Sequence, residues 1–140
     1  MFSHLYRKYL SVCVALLCAL TFALGSSGNA SAQTQFVIGT WELVWEGARG
    51  NYTGTLRVTT GKNEKVFDGK LNLIRSDSSK IAEDAKITVT GDEVRIECLN
   101  PSVKGWNPDR FYVVHKGDRL EGYSLDTAGQ RGKSIVFSKR

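Results

Sequence analysis

Beyond residue 36 the chain alternates apolar and polar residues with a period of two, the pattern of an extended strand with one face buried and the other in water. Trp41, Leu43 and Trp45 fall on one face of the first such segment, 36–47, with Glu42, Val44 and Glu46 on the other. Gly47-Ala48-Arg49-Gly50-Asn51 interrupts it. Tyr52, Gly54, Leu56 and Val58 then alternate with Thr53, Thr55, Arg57 and Thr59, and Gly61-Lys62-Asn63 predicts the return. Phe67, Gly69, Leu71 and Leu73 continue the period over 65–74. The stretch RSDSSKIAED, 75–84, loses it and predicts a polar connection. Ile87 and Val89 face Val94, Ile96 and Cys98 across Thr90-Gly91-Asp92-Glu93, which predicts a hairpin. Further strands are predicted over 110–115, 120–125 and 133–138, with a longer connection between Asn100-Pro101 and Asn107-Pro108 that carries Trp106.

About eight strands joined mostly by short turns predict an all-β antiparallel meander. An open meander has two exposed edges, and curling until the first and last strands pair removes both while enclosing the apolar face. A small eight-stranded barrel is therefore expected. The same alternation also fits a two-sheet β-sandwich. An eight-stranded barrel is just wide enough to be filled by side chains or to hold one small ligand. Gly54, Gly69 and Gly122 on the apolar faces would leave interior space that the Trp, Phe and Leu residues of those faces work to fill.

Residues 1–32 stand outside this pattern. Arg7 and Lys8 precede the apolar run SVCVALLCALTFALG, and the small residues Asn29-Ala30-Ser31-Ala32 follow it. That order predicts a cleaved secretory signal peptide ending before Gln33. Its apolar core of about 15 residues is shorter than the roughly 20 needed to span a bilayer as a helix. The expected product, 33–140, is one domain's worth of chain, periplasmic or secreted, with no stable membrane insertion after cleavage.

Removing Arg7 and Lys8 leaves 17 basic residues against 14 acidic ones, a formal charge of +3, and no basic run exceeds Lys139-Arg140. A modest, interspersed charge argues against a nucleic-acid partner. Cys98 alone remains beyond the leader, so the domain has no internal disulfide; its alternation with Val94 and Ile96 predicts a buried thiol.

Gly39-Thr40-Trp41, at the entrance to the first strand of a small exported meander, resembles the Gly-x-Trp of the calycin group, which includes lipocalins, fatty-acid-binding proteins and avidins. The resemblance implies that Trp41 closes one end of the barrel and that a basic residue of the last strand, Arg140 or Lys139, packs across it. Lys104-Gly105-Trp106-Asn107-Pro108 also resembles a segment of bacterial inhibitors of secreted metalloproteases, which share a Gly-x-Trp near their start.

Gly39, Trp41 and Arg140 are accordingly expected to close the barrel. Trp45, four residues beyond Trp41 on the same strand face, is expected about 13 Å away, at the opposite end or in a pocket mouth. Trp106 is the loop candidate for a ligand or partner, with Arg110 and Tyr112 as polar contacts beside it. No catalytic constellation emerges. His115 is the one histidine beyond the leader and reads as a strand-end polar residue, no metal cluster or phosphate loop is spelled out, and no cofactor is expected. The acidic pairs Glu83-Asp84 and Asp92-Glu93 read as solvated. The leading expectation is an exported, non-enzymatic binding module for a small apolar ligand. The alternatives are a protein-interaction domain, such as an inhibitor of an exported protease, and a structural domain without a small-molecule site.

Overall fold

The computed structural model describes residues 34–47 and 50–140, and the expected signal peptide, 1–32, lies outside the described residues. Eight strands follow a short 3-10 helix, Gln35–Val37: β1 Gly39–Gly47, β2 Gly50–Asn63, β3 Val66–Arg75, β4 Lys80–Thr90, β5 Glu93–Leu99, β6 Arg110–Lys116, β7 Arg119–Leu125 and β8 Arg131–Lys139. Each pairs antiparallel with its neighbour in sequence. β1 also pairs with β8, in the register Trp41↔Lys139, Leu43↔Phe137 and Trp45↔Ile135, which closes the sheet into a barrel. That pairing satisfies the backbone groups of both edges and decides for the barrel against the sandwich. Among the described residues no helix is long and apolar enough to cross a membrane.

The alternating apolar residues all turn inward. Leu43, Leu56, Leu71, Ile87, Ile96, Phe111 and Phe137 are essentially without solvent exposure and fill the middle of the barrel. The interior glycines do not leave a cavity. A Cβ on Gly54 would lie 2.1 Å from the Asn72 carbonyl oxygen, and one on Gly122 would lie 2.0 Å from that of Tyr112. The missing side chains let adjacent strands approach and curl tightly, so the space is taken up by backbone.

Two boundaries differ from the sequence expectation. β2 runs on to Asn63, past a register irregularity after Thr59, and the turn follows because Asn63 Oδ1 accepts from the backbone N–H of Lys65 and Val66 at 3.0 and 2.9 Å. The expected polar connection over 75–84 is mostly strand. Asp77 Oδ1 accepts from Ser79 N–H and Oγ–H at 2.9 and 2.6 Å, which confines the turn to a few residues, and β4 begins at Lys80. Ile81, Glu83 and Ala85 then point inward. A carboxylate at an interior position hides the alternation.

Candidate functional site

The two ends of the barrel are built differently. At the Trp41 end the 3-10 helix lies against the opening: Trp41 is fully buried and its Nε1–H donates to the Val37 carbonyl at 2.8 Å. Phe36 stacks on His115 with ring centroids 3.8 Å apart, so His115 is a packing surface for the plug. The cation across Trp41 is Lys139. Its Nζ lies 5.3 Å from the ring centroid and donates to the Phe36 carbonyl at 2.8 Å. Arg140, one residue further and on the other face, instead sits 3.6 Å from Glu42 at the exposed surface. Alternation explains the choice: Lys139 shares the inward face with Ile135 and Phe137, and Arg140 does not. Gly39, at φ 130°, carries the chain from the helix into β1 in a conformation that favours glycine.

The Trp45 end carries a recess of about 560 Å³, lined by Trp45, Tyr52, Trp106 and Pro108 together with the start of β8 and the loop before it. Trp45 stacks on Tyr52 at 4.9 Å and meets Phe111 edge-on at 5.3 Å, and Tyr52 meets Trp106 edge-on at 6.0 Å. The rings form one continuous aromatic surface from the core to the mouth. Trp106 is half-buried against this cluster, and its Nε1–H donates to Asp109 Oδ2 at 3.3 Å. Its loop folds over the barrel mouth instead of projecting away from it.

Below this loop lies a polar group that reads as solvated from the sequence and is not. Glu83 is 1% exposed, and its Oε1 accepts from the Asp109 backbone N–H at 3.4 Å. Burial first, and then the Asp109 carboxylate, push the Glu83 carboxyl up to about 8, so it is protonated at neutral pH. Burial, followed by these two acids, also pushes the Cys98 thiol well above its ordinary range. Cys98 is a buried, unionised packing residue whose backbone N–H donates to the Asp109 carbonyl at 2.9 Å. Two side-chain atoms at inward-facing positions, Trp45 Nε1 and Glu83 Oε2, are buried without a hydrogen-bond partner. Among the described residues no three His, Cys, Asp or Glu side chains are grouped so as to hold a metal ion.

No protein-family model and no curated protein matches the chain. Solved structures of engineered barrels do. A de novo designed fluorescence-activating beta barrel superposes with a TM-score of 0.57 at 22% identity, covering 76% of this chain and 96% of its own. The redesigned beta barrel mFAP1, bound to DFHBI, gives 0.60 at 17% identity over 77% and 98% of the two chains. Another redesigned barrel, b11L5F_LGL, gives 0.65 at 14% identity over 77% and 95%. These likenesses bear out the closed antiparallel barrel and nothing finer.

Of the candidate binding residues, Trp45 and Trp106 meet at the recess. Arg110 and Tyr112 do not join them. Both lie outward on β6, because Phe111 and Val113 take the inward positions. The Arg110 guanidinium donates to the Asp126 carbonyl, whereas Tyr112 packs against Tyr123 at 5.5 Å, its phenol pushed up first by a hydrogen bond to Glu93. Tyr52, Glu83 and Lys133 belong to this end of the barrel and are absent from the candidates that the sequence suggests. Tyr52 sits in phase with Leu56 and Val58, so the alternation carries its signal, whereas Glu83 is hidden by being a carboxylate and Lys133 lies where β8 shifts register against β7.

Proposed function

We propose that this chain is an exported, non-enzymatic binding module that takes a small, mainly apolar molecule in the recess at the Trp45 end. The observation that carries this reading is the convergence of Trp45, Tyr52 and Trp106 on one open recess, while side chains fill the barrel below it. The volume, about 560 Å³, falls within the range of roughly 300 to 1,000 Å³ common for small-molecule sites. The plugged Trp41 end directs a ligand to this mouth. One neighbour of the same layout, mFAP1, is bound to DFHBI, which supports reading such a barrel as a holder of a bound molecule. Export rests on the order of charged, apolar and small residues over 1–32. The surface-partner alternative loses support from the packing of Trp106, since a ring folded onto Tyr52 is a wall of the recess before it is an anchor for another protein.

Titration with the uncharged fluorophore phenylnaphthylamine tests the site. Emission should rise saturably, and Trp106→Ala should weaken binding about tenfold, because an aromatic contact of this kind contributes on the order of 1 kcal/mol or more. Unchanged affinity in Trp106→Ala, at matched folded fraction by circular dichroism, would remove the recess from consideration.

A further inference from the structure

On β8 the exposed Lys133 and Lys139 flank the buried Ile135 and Phe137, one toward each end of the barrel. Their surroundings differ. Lys139 has its acceptor supplied by the chain itself, the Phe36 carbonyl at 2.8 Å, with the Trp41 ring beside it. Lys133 lines the recess, and its ammonium has no hydrogen-bond or ion-pair partner among the described residues.

The two carboxylates of the recess each hold a donor, and its other cation rests on a ring. Asp109 Oδ2 accepts from Trp106 Nε1 at 3.3 Å, and Asp126 Oδ1 accepts from the Gln130 backbone N–H at 2.7 Å within its own turn. The Arg131 guanidinium lies over the Tyr123 ring at 4.5 Å. Lys133 is left as the cation of the recess without any partner among the described residues, lining it together with Trp45, Tyr52 and Trp106. A recess lined by apolar rings and by an ammonium without a partner is matched by a molecule that is planar and apolar over most of its surface and carries an acceptor at one end, held to the Lys133 side by the Asp109 and Asp126 carboxylates that also line it.

We propose that the recess is selective for planar aromatic anions, such as aromatic carboxylates or sulfonates, whose ring lies against Trp45, Tyr52 and Trp106 and whose acidic group takes the place at Lys133 that the Phe36 carbonyl occupies at Lys139. The inference rests on the recess being the binding site and adds the charge class of its ligand. The acidic group forms a charge-assisted hydrogen bond at the rim, where partial exposure moderates its strength. The ring supplies the larger share of the affinity through apolar burial.

A matched pair of probes separates the two claims, because anilinonaphthalene sulfonate and phenylnaphthylamine share their ring system and differ by the anionic group. The wild-type chain should bind the sulfonate about five- to tenfold more tightly than the neutral amine at low salt, with the ratio shrinking as ionic strength rises. Lys133→Met should abolish the preference while leaving the affinity for the neutral amine within about twofold. Lys62→Met, in the exposed strand end at the opposite mouth, should change neither. Equal affinities in the wild type, or a preference that survives Lys133→Met, would overturn the anion assignment with the recess itself intact. Failure of both probes to respond to Trp106→Ala would overturn the recess first.

Discussion

Trp41→Ala is expected to lower the free energy of unfolding by about 3 to 5 kcal/mol, the range for removing a large aromatic from a core that cannot collapse around the gap. The side chain is fully buried, and three features converge on it: the Val37 carbonyl accepting from Nε1–H at 2.8 Å, Lys139 across the ring at 5.3 Å, and the β1–β8 pairing Trp41↔Lys139 that closes the barrel. Against a total of roughly 5 to 15 kcal/mol for a domain, this is a large fraction. Trp41→Phe should cost less, because it keeps most of the ring and removes the hydrogen bond, worth about 1 kcal/mol. Urea unfolding of the three chains measures both effects. A loss below about 1 kcal/mol in Trp41→Ala would show that the 3-10 helix seals the barrel without it.

The second large effect is a pH dependence set by Glu83. Its carboxyl is raised from 4.5 to about 8, so between these values the folded chain holds a proton that the unfolded chain has released. The folded state binds more protons across that window, and stability must fall as pH rises through it. The contribution is complete below the lower value, declines through the window and is exhausted above about 8. A loss on the order of 2 kcal/mol between about pH 5 and about pH 9 is expected, after discounting for solvent screening at the barrel mouth. Glu83→Gln keeps the shape and the neutral state, so its unfolding free energy should be nearly flat over the same range. A slope equal to that of the wild type would assign the dependence to other groups.

That titration reaches the recess through a short chain of contacts. Glu83 Oε1 accepts from the Asp109 backbone, and Asp109 Oδ2 holds the Trp106 indole. Ionising Glu83 beside Asp109 places two negative charges at the root of the aromatic wall. Binding of phenylnaphthylamine should therefore weaken above about pH 8 in the wild type and remain level in Glu83→Gln.

The positions of the strands, the hairpin turn at Gly91, the inward face of β1 and the burial of Cys98 can all be read from alternation, because a strand with one face in the core repeats every two residues whatever its neighbours are. Reading fails where a polar residue takes an inward position or where neighbours in sequence point to opposite faces. Glu83 lies between Ile81 and Ala85, in phase with both, yet a carboxylate reads as solvent-facing until a neighbour such as Asp109 and a covering loop are known. Proximity in sequence sets Arg110 and Tyr112 beside Trp106, whereas β6 puts Phe111 and Val113 inside and those two outside. Of the two basic residues that the resemblance offered for the place across Trp41, the same alternation puts Lys139 there and Arg140 outside.

Taken alone, the sequence determined which residues alternate, where most turns interrupt them, and that a meander of about eight strands had edges to close, since these follow from local sterics and the period of the extended chain. Only the tertiary structure decided what closure encloses. Pairing of β1 with β8 brings residues about a hundred positions apart into register, and the approach of strands at Gly54 and Gly122 removes the interior space those glycines suggested. The 100–109 loop then folds across the mouth to bring Trp106 onto Tyr52 and Asp109 over Glu83. Those contacts join side chains whose separation along the chain carries no period, so no local pattern could announce them. They leave Lys133 lining the same recess as those rings, its ammonium without a partner among the described residues.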